Sequence, residues 1–271
     1  MPSPAPERSG VGCGASRFAC NKGASMARLK VEEIYTFPVK GARGARPPSL
    51  RVNPVVGVVG DRRFGIKRTP KAGDAWADKI HFRVCMNTPE MAAQTPVYSD
   101  GKPDPAWLKQ VAVAIGEQDL ATLDTKGQFN LVDTDPHKFG PTVSFLNLAT
   151  VRAIAAETGL AIGPERFRMN IWYEDAPFAE LDWASDYPGT REFVVGELRF
   201  RVQDACERCQ ATEANPATGK RDLPVLEAIA SVLKKRGYRG SPQRGVFEVM
   251  GFLATPLGEE TVTRGQEIQL I

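Results

Sequence analysis

A chain of 271 residues, 42% hydrophobic and 25% charged, has the balance of a globular protein that buries a core, in one large domain or two packed halves. Its 35 basic and 32 acidic residues leave a net charge of +3, too even a mixture for the one-sided positive face that nucleic acid requires. No run reaches the roughly 18 consecutive apolar residues of a membrane helix, so neither nucleic acid nor membrane is an expected partner and a soluble protein is.

Residues 1–25 carry Pro2, Pro4 and Pro6 among glycines, serines and alanines, without apolar periodicity, and read as a disordered leader. They lack the apolar core, roughly 7–15 residues long, of a secretory signal. Met26, just ahead of the first strand-like pattern, is a candidate alternative start. Short strand-like runs follow at Val31 to Phe37, Ser49 to Val52 and Arg63 to Lys67. The Pro, Gly, Asp and Lys of residues 68–105 predict loops with short strands. Trp107, Leu108, Val111 and Ile115 fall at helical spacing before Gly116, which predicts a helix over 105–116.

A second helix is predicted from the cap Asn147 to the stop Gly159, with Leu148, Val151 and Ala155 on one face. Strands resume at Asn170 to Tyr173 and at Glu197 to Gln203, where Leu198, Phe200 and Val202 alternate with Arg199 and Arg201. The pair Cys206 and Cys209 is expected just past that strand. A third helix, Leu223 to Arg236, has Asp222 placed to cap it and Lys234, Lys235 and Arg236 at its negative end. Gly245 to Met250 and Glu267 to Ile271 read as closing strands. Strands dominate and helices intervene without strict alternation, which predicts an α+β fold around a barrel-like sheet.

Five cysteines, two of them in the leader, and no export signal argue against a disulfide framework and for the cytoplasm. With only His81 and His137 in the chain, cysteine chemistry outranks a histidine-based site. Cys206-x-x-Cys209 has several readings. A structural zinc site needs four ligands, and the remainder offers only Cys85 and the ill-spaced Cys13 and Cys20. A thioredoxin-like dithiol should open a helix, whereas Ala211 to Pro216 looks irregular. Burial as a small apolar side chain suits Cys206. At Cys209 the adjacent Arg208 offers a cation to an ionised thiol, the form that ligates metals.

The run Cys206-Glu207-Arg208-Cys209, with Asn215-Pro216-Ala217-Thr218-Gly219 and Arg221-Asp222 beyond, resembles the signature of MOSC domains. That family includes the molybdenum cofactor sulfurase C-terminal domain and the mitochondrial amidoxime-reducing component. Three further elements follow the family's order: Phe37 to Gly41 resembles Tyr-Pro-Val-Lys-Ser, Gly60 to Phe64 its Asp-Arg element, and Arg166 to Asn170 Phe-Arg-Pro-Asn. Gly41 replaces the family's serine, and Met169 its proline. The resemblance spans residues 31–271 and implies an N-terminal β-barrel-like domain over 26–130 and a MOSC domain over 131–271.

It also implies a molybdenum cofactor, a pterin with a dithiolene and a phosphate, whose metal Cys209 would ligate as the catalytic residue. Lys40, Arg62, Arg168 and Arg208 would bind its anionic parts, and Asn170 would offer a donor and an acceptor to the pterin. Thr142 and Ser144 are candidates for hydroxyl contacts. Pyridoxal phosphate binding is a further attribute the resemblance carries. The implied activity is oxidoreduction of N-hydroxylated or related small substrates, with a separate electron-donor protein, because no C-x₄-C-x₂-C run for an iron–sulfur cluster is present. The alternative is a carrier of sulfur or cofactor, with Cys209 holding a persulfide or the metal.

Overall fold

The computed structural model describes residues 29–67, 82–124, 141–181, 191–240 and 245–271. The predicted leader and both histidines lie outside them. In chain order the first half contains β1 (Leu29–Ile34), β2 (Ser49–Asn53), β3 (Gly57–Val58), β4 (Phe64–Ile66), β5 (Tyr98–Ser99), β6 (Lys102–Pro103), α1 (Pro105–Ala114) and β7 (Thr122–Asp124). The second contains β8 (Val143–Asn147), α2 (Leu148–Thr158), β9 (Ile171–Tyr173), β10 (Glu192–Val195), β11 (Leu198–Glu207), α3 (Val225–Lys235), β12 (Val249–Pro256), β13 (Glu260–Thr263) and β14 (Glu267–Leu270).

Seven strands close a barrel in the order β1-β14-β10-β11-β12-β8-β9, antiparallel except for β8 beside β9. The architecture is the α+β, barrel-centred one that the pattern predicts. The alternation in β11 buries Leu198, Phe200 and Val202 and exposes Arg199 and Arg201. Glu192, opposite Arg201 on β10, accepts from its Nη2 at 2.8 Å. Inside the barrel, Phe145 stacks on Phe252 at 5.0 Å between ring centres, and Phe193 on Phe200 at 5.3 Å. Four buried rings in mutual contact supply much of the apolar area that drives closure.

β1 sits between β14 and β9, and β2 pairs with β13, so strand pairing crosses the division implied at residue 130. A smaller cluster of Val39, Ala42, Phe64, Ile66, Met91, Trp107 and Val111 packs separately, under α1. Between these two cores runs the chain that carries the cavity described below.

The start predicted for the first helix and both ends predicted for the second hold, and the first start has a cap that the spacing alone did not name. Asp104 Oδ1 accepts from Ala106 N at 2.7 Å to start α1, and Asn147 Oδ1 accepts from Ala149 N at 3.1 Å to start α2. Gly159, at φ +70°, ends α2 in the left-handed region that glycine enters freely. Asp222 does not cap α3: it pairs with Arg166 Nη2 at 2.7 Å and accepts from Asn215 Nδ2, and the helix starts after Pro224. β11 also runs on to Glu207, which opposes Val249 past a bulge between Ala205 and Glu207, so Cys206 lies within the strand. β12 begins at Val249, where that partner is met, and continues to Pro256.

Asn147 has a second role. Its Nδ2 donates to Glu180 Oε2 at 3.0 Å, and Thr150 Oγ1 donates to the same oxygen at 2.9 Å. Glu180 is fully buried, and burial pushes its carboxyl up to about 7 against the hydrogen bonds that lower it.

Candidate functional site

A cavity of about 250 Å³ opens where the loop after β1, the turn before β9 and the end of β11 meet, and all six predicted site residues line it: Lys40, Arg62, Arg168, Asn170, Arg208 and Cys209. Thr142 and Ser144 line it as well. Segments more than 160 residues apart in sequence thus converge, because β1, β8 and β9 are neighbours in the barrel and β11 is reached through β12.

Asp61 sets the mouth of the first loop. It is buried, and its Oδ1 accepts from Phe37 N at 2.6 Å and Thr36 Oγ1 at 3.4 Å, locking the Phe-Pro-Val-Lys element to the Asp-Arg element. Arg62 ion-pairs with Asp61, and its Nη2 donates to the carbonyl of Arg168 at 3.1 Å. Lys40 is fixed through its backbone N–H, which donates to Phe64 O at 2.8 Å.

Arg168 follows the 3-10 turn Pro164–Phe167 at φ +53°, a conformation that L side chains rarely adopt. Its guanidinium lies 4.5 Å from the centre of the Phe37 ring and has no hydrogen bond or ion pair among the described residues. Burial holds it below its ordinary pKa; the Cys85 thiol opposes this shift and the positive charge of Arg62 adds to it. A half-buried cation without a carboxylate partner is stabilised by an anion in the space it faces.

Two site residues act differently from expectation. Arg208 turns to Cys206, not Cys209: its Nη1 donates to Cys206 Sγ at 2.8 Å and its Nη2 to Phe167 O at 2.5 Å. On extended backbone residues two apart share a face, so the cation of position 208 meets the thiol of 206. Its Nε is buried with no hydrogen-bond partner. Asn170 is committed to the protein: Oδ1 accepts from Ser144 Oγ at 2.8 Å, and Nδ2 donates to Tyr35 O at 3.2 Å. It ties the end of β1 to β8 and β9, as a positioning residue rather than a free pterin ligand.

Cys209 is the exposed thiol of the three described cysteines, at the head of the 3-10 turn Gln210–Glu213. Its carbonyl accepts from Thr212 N and Oγ1, both at 3.0 Å, which fixes the backbone and leaves the thiol at the cavity. Cys85, weighed from sequence only as a possible fourth zinc ligand, also lines the cavity, buried, with Sγ donating to Gly41 O at 2.9 Å. Burial pushes its thiol pKa up. Nothing local marks Cys85; only the fold brings 85 beside 209. Among the described residues no group of three or more His, Cys, Asp or Glu is arranged to hold a metal ion.

The signature turn after the cysteines is held from both sides. Gly219, at φ +71°, packs so closely that a Cβ would lie 2.6 Å from Glu90 Cα. Arg166, buried, joins that turn through Glu213 O at 3.1 Å and Asp222.

The residues present suit an anionic, metal-bearing cofactor. Four cations surround the space, Arg168 and the Nε of Arg208 lack partners among the described residues, and one accessible thiol, a soft donor type, stands at the edge.

A model of the MOSC domain matches residues 134–269. The molybdenum cofactor sulfurase of Drosophila willistoni is 32% identical over 90 residues, 33% of this chain and 10% of that protein. That of Drosophila mojavensis is 27% identical over 157 residues, 56% of this chain and 18% of its own length. The chain thus spans a fifth or less of these curated relatives. Among solved structures, the YuaD protein from Bacillus subtilis aligns over 89% of this chain and 94% of its own at a TM-score of 0.40 and 14% identity.

Proposed function

Because this chain belongs to the MOSC domain family, we propose that its cavity holds a molybdenum cofactor, with Cys209 as the metal ligand, and that it reduces N-hydroxylated or related small substrates. The observation that carries the reading is the cluster of Lys40, Arg62, Arg168 and Arg208 around one cavity that also exposes the Cys209 thiol. Arg168, half-buried and without an ion pair among the described residues, and the buried Nε of Arg208 would be served by an anionic ligand, and a single protein thiolate would leave the other positions of a metal open to substrate.

In this proposal Arg62 and Arg168 clasp the cofactor's phosphate or pterin edge, with Lys40 adding a point charge. Asn170 and Asp61 position them from behind. Arg208 holds Cys206 and the Phe167 carbonyl, which sets the course of the strand end that delivers Cys209. When bound, the cofactor supplies two-electron oxygen-atom chemistry. Loss of an N-hydroxyl oxygen takes two electrons and two protons and releases water. In this proposal the electrons come from a separate donor protein.

The test is elemental analysis of the protein made in cofactor-competent cells, with benzamidoxime reduction by a chemically reduced viologen dye. Molybdenum near one atom per chain in wild type, lost with activity in Cys209→Ser but kept in Cys206→Ala, is the expected result. Full activity in Cys209→Ser would sink the proposal.

A second reading, a sulfur or cofactor carrier, is favoured by the name of the matching relatives, molybdenum cofactor sulfurases. As a sulfur carrier it requires a persulfide on Cys209 and no retained molybdenum, and as a cofactor carrier it requires bound molybdenum without benzamidoxime reduction; intact-protein mass, the same elemental analysis and the activity assay report these.

A further inference from the structure

Three thiols line the cavity, Cys85, Cys206 and Cys209, and the proposed chemistry uses one of them. Of the other two, Cys206 is poorly placed to pair with Cys209. β11 runs to Glu207, and Cys209 is itself extended, at φ −129° and ψ 176°. Extended backbone covers about 10 Å in three residues, beyond the roughly 7 Å between Cα atoms that a disulfide tolerates. Cys206 Sγ is also held by Arg208. The Cys-x-x-Cys spacing therefore points away from the partner that the fold supplies.

Cys85 reaches the cavity from a distant loop. It is buried in a small cluster with Ala92 and Ala214, against which Ala211 packs, and Ala211 belongs to the 3-10 turn Gln210–Glu213 that Cys209 heads. The two thiols are near enough to interact electrostatically: burial raises the Cys85 pKa, the charge of Arg168 opposes that shift, and a Cys209 thiolate adds to it. Cys85 Sγ donates to Gly41 O at 2.9 Å, and a thiol is a weak donor, so little is lost when that sulfur turns. An exposed thiol and a buried one on the same cavity are the parts of a peroxide-sensitive pair, in which the accessible sulfur is oxidised first and the sheltered one resolves it.

We propose that, while no cofactor occupies the cavity, Cys209 and Cys85 form a reversible disulfide on exposure to hydrogen peroxide. The Cys209 thiolate attacks one peroxide oxygen and the O–O bond breaks. The departing hydroxide takes up the proton that the thiol shed and leaves as water, and Cys209 becomes a sulfenic acid. The Cys85 sulfur then attacks the Cys209 sulfur; the S–O bond breaks, the S–S bond forms, and the second hydroxide leaves as water with the Cys85 proton. Two thiols together lose two electrons, and the peroxide is reduced to two waters. The bond shields Cys209 from irreversible oxidation and, on the molybdenum reading, withholds the metal ligand until a thiol reductant restores it. That second effect rests on the molybdenum reading; the bond itself does not.

The experiment takes the full chain made in cells unable to synthesise molybdenum cofactor, treats the native protein with a small excess of hydrogen peroxide, blocks free thiols with iodoacetamide in denaturant and maps the peptides by mass spectrometry without reduction. A peptide cross-linked between Cys85 and Cys209 is expected in most chains of the wild type and of Cys206→Ala, and dithiothreitol should reverse it. In Cys85→Ser the cross-link is lost and Cys209 accumulates as the sulfinic acid, because no second thiol resolves the sulfenic acid. Sulfinic acid on wild-type Cys209 with Cys85 still a free thiol, a cross-link from Cys209 to any other cysteine, an unreacted Cys209, or a Cys85–Cys209 link that forms only when peroxide is added in denaturant overturns the proposal. None of these readouts depends on whether protein made in cofactor-competent cells carries molybdenum.

Discussion

Arg62 donates through Nη2 to the carbonyl oxygen of Arg168 at 3.1 Å, and both residues hold left-handed backbone, at φ +48° and +53°. Among the described residues only Asp100 and Phe178 are other non-glycine residues of this kind. Left-handed backbone costs an L residue roughly 1–2 kcal/mol, so two adjacent instances around one cavity mark strain kept for positioning.

Replacing Arg168 by glycine separates the two roles. It relieves that strain and removes the contact with the Phe37 ring, worth about 0.5–1 kcal/mol. Stability by chemical denaturation should therefore change by no more than about 1 kcal/mol, while bound molybdenum falls at least tenfold. Unchanged molybdenum would remove Arg168 from the cofactor site.

The described thiols differ in access, and alkylation should follow that order. Cys209 is exposed, whereas Cys85 and Cys206 are buried, and Cys206 additionally accepts from Arg208. Brief iodoacetamide treatment of native protein, followed by peptide mass mapping, should label Cys209 and leave Cys85 and Cys206 until denaturant is added. Labelling of Cys206 ahead of Cys209 would reverse the roles assigned to the pair.

Glu180 predicts a pH dependence of stability. Its folded pKa of about 7 lies above the ordinary 4.5, with burial the main cause. Below pH 4.5 both states are protonated and this contribution is fully present; from there to pH 7 the unfolded chain ionises first, so stability falls, then levels off. At about 1.4 kcal/mol per pH unit the loss is on the order of 3 kcal/mol. Asp175, also raised by burial, has the same sign, so the readout is wild type minus Glu180→Gln. Asp222, which burial raises but Asn215 and Arg166 lower by more, contributes stability above pH 3.8 that is lost only as pH falls below it, outside this window. A difference that stays flat between pH 4.5 and 7 would refute the assignment.

Gly41 stands where the family pattern has serine, and the structure gives a reason that the serine cannot simply be restored. At φ +87°, a Cβ would lie 3.0 Å from Arg83 O and 3.1 Å from Val84 Cα. Gly41→Ser should cost about 1–3 kcal/mol in denaturant unfolding. A variant as stable as wild type would show that the loop rearranges readily.

Local signals carried much of the fold. The cap Asn147 and the stop Gly159 each act within one helical turn of the residue they serve, and the alternation of β11 reports one buried face. β8 escaped because all five of its residues are buried, which erases the period of two that betrays a half-exposed strand. Asp222 was misassigned because a cap and an ion-pair partner look alike along the chain, and Arg166, 56 residues away, decided between them.

The site divides the same way. Residue types and motif order, legible along the chain, named Lys40, Arg62, Arg168, Asn170, Arg208 and Cys209 as one group, and the barrel brings them to one cavity. What each side chain does there was settled by neighbours distant in sequence. Arg208 answers Cys206 because β11 remains extended past a bulge, Asn170 is taken by Ser144 and Tyr35, and Cys85 arrives only through the packing of its loop on Gly41. A motif specifies which donors are available; the hydrogen-bond partners that claim them, and the charges left over for a ligand, exist only once the chain has closed on itself.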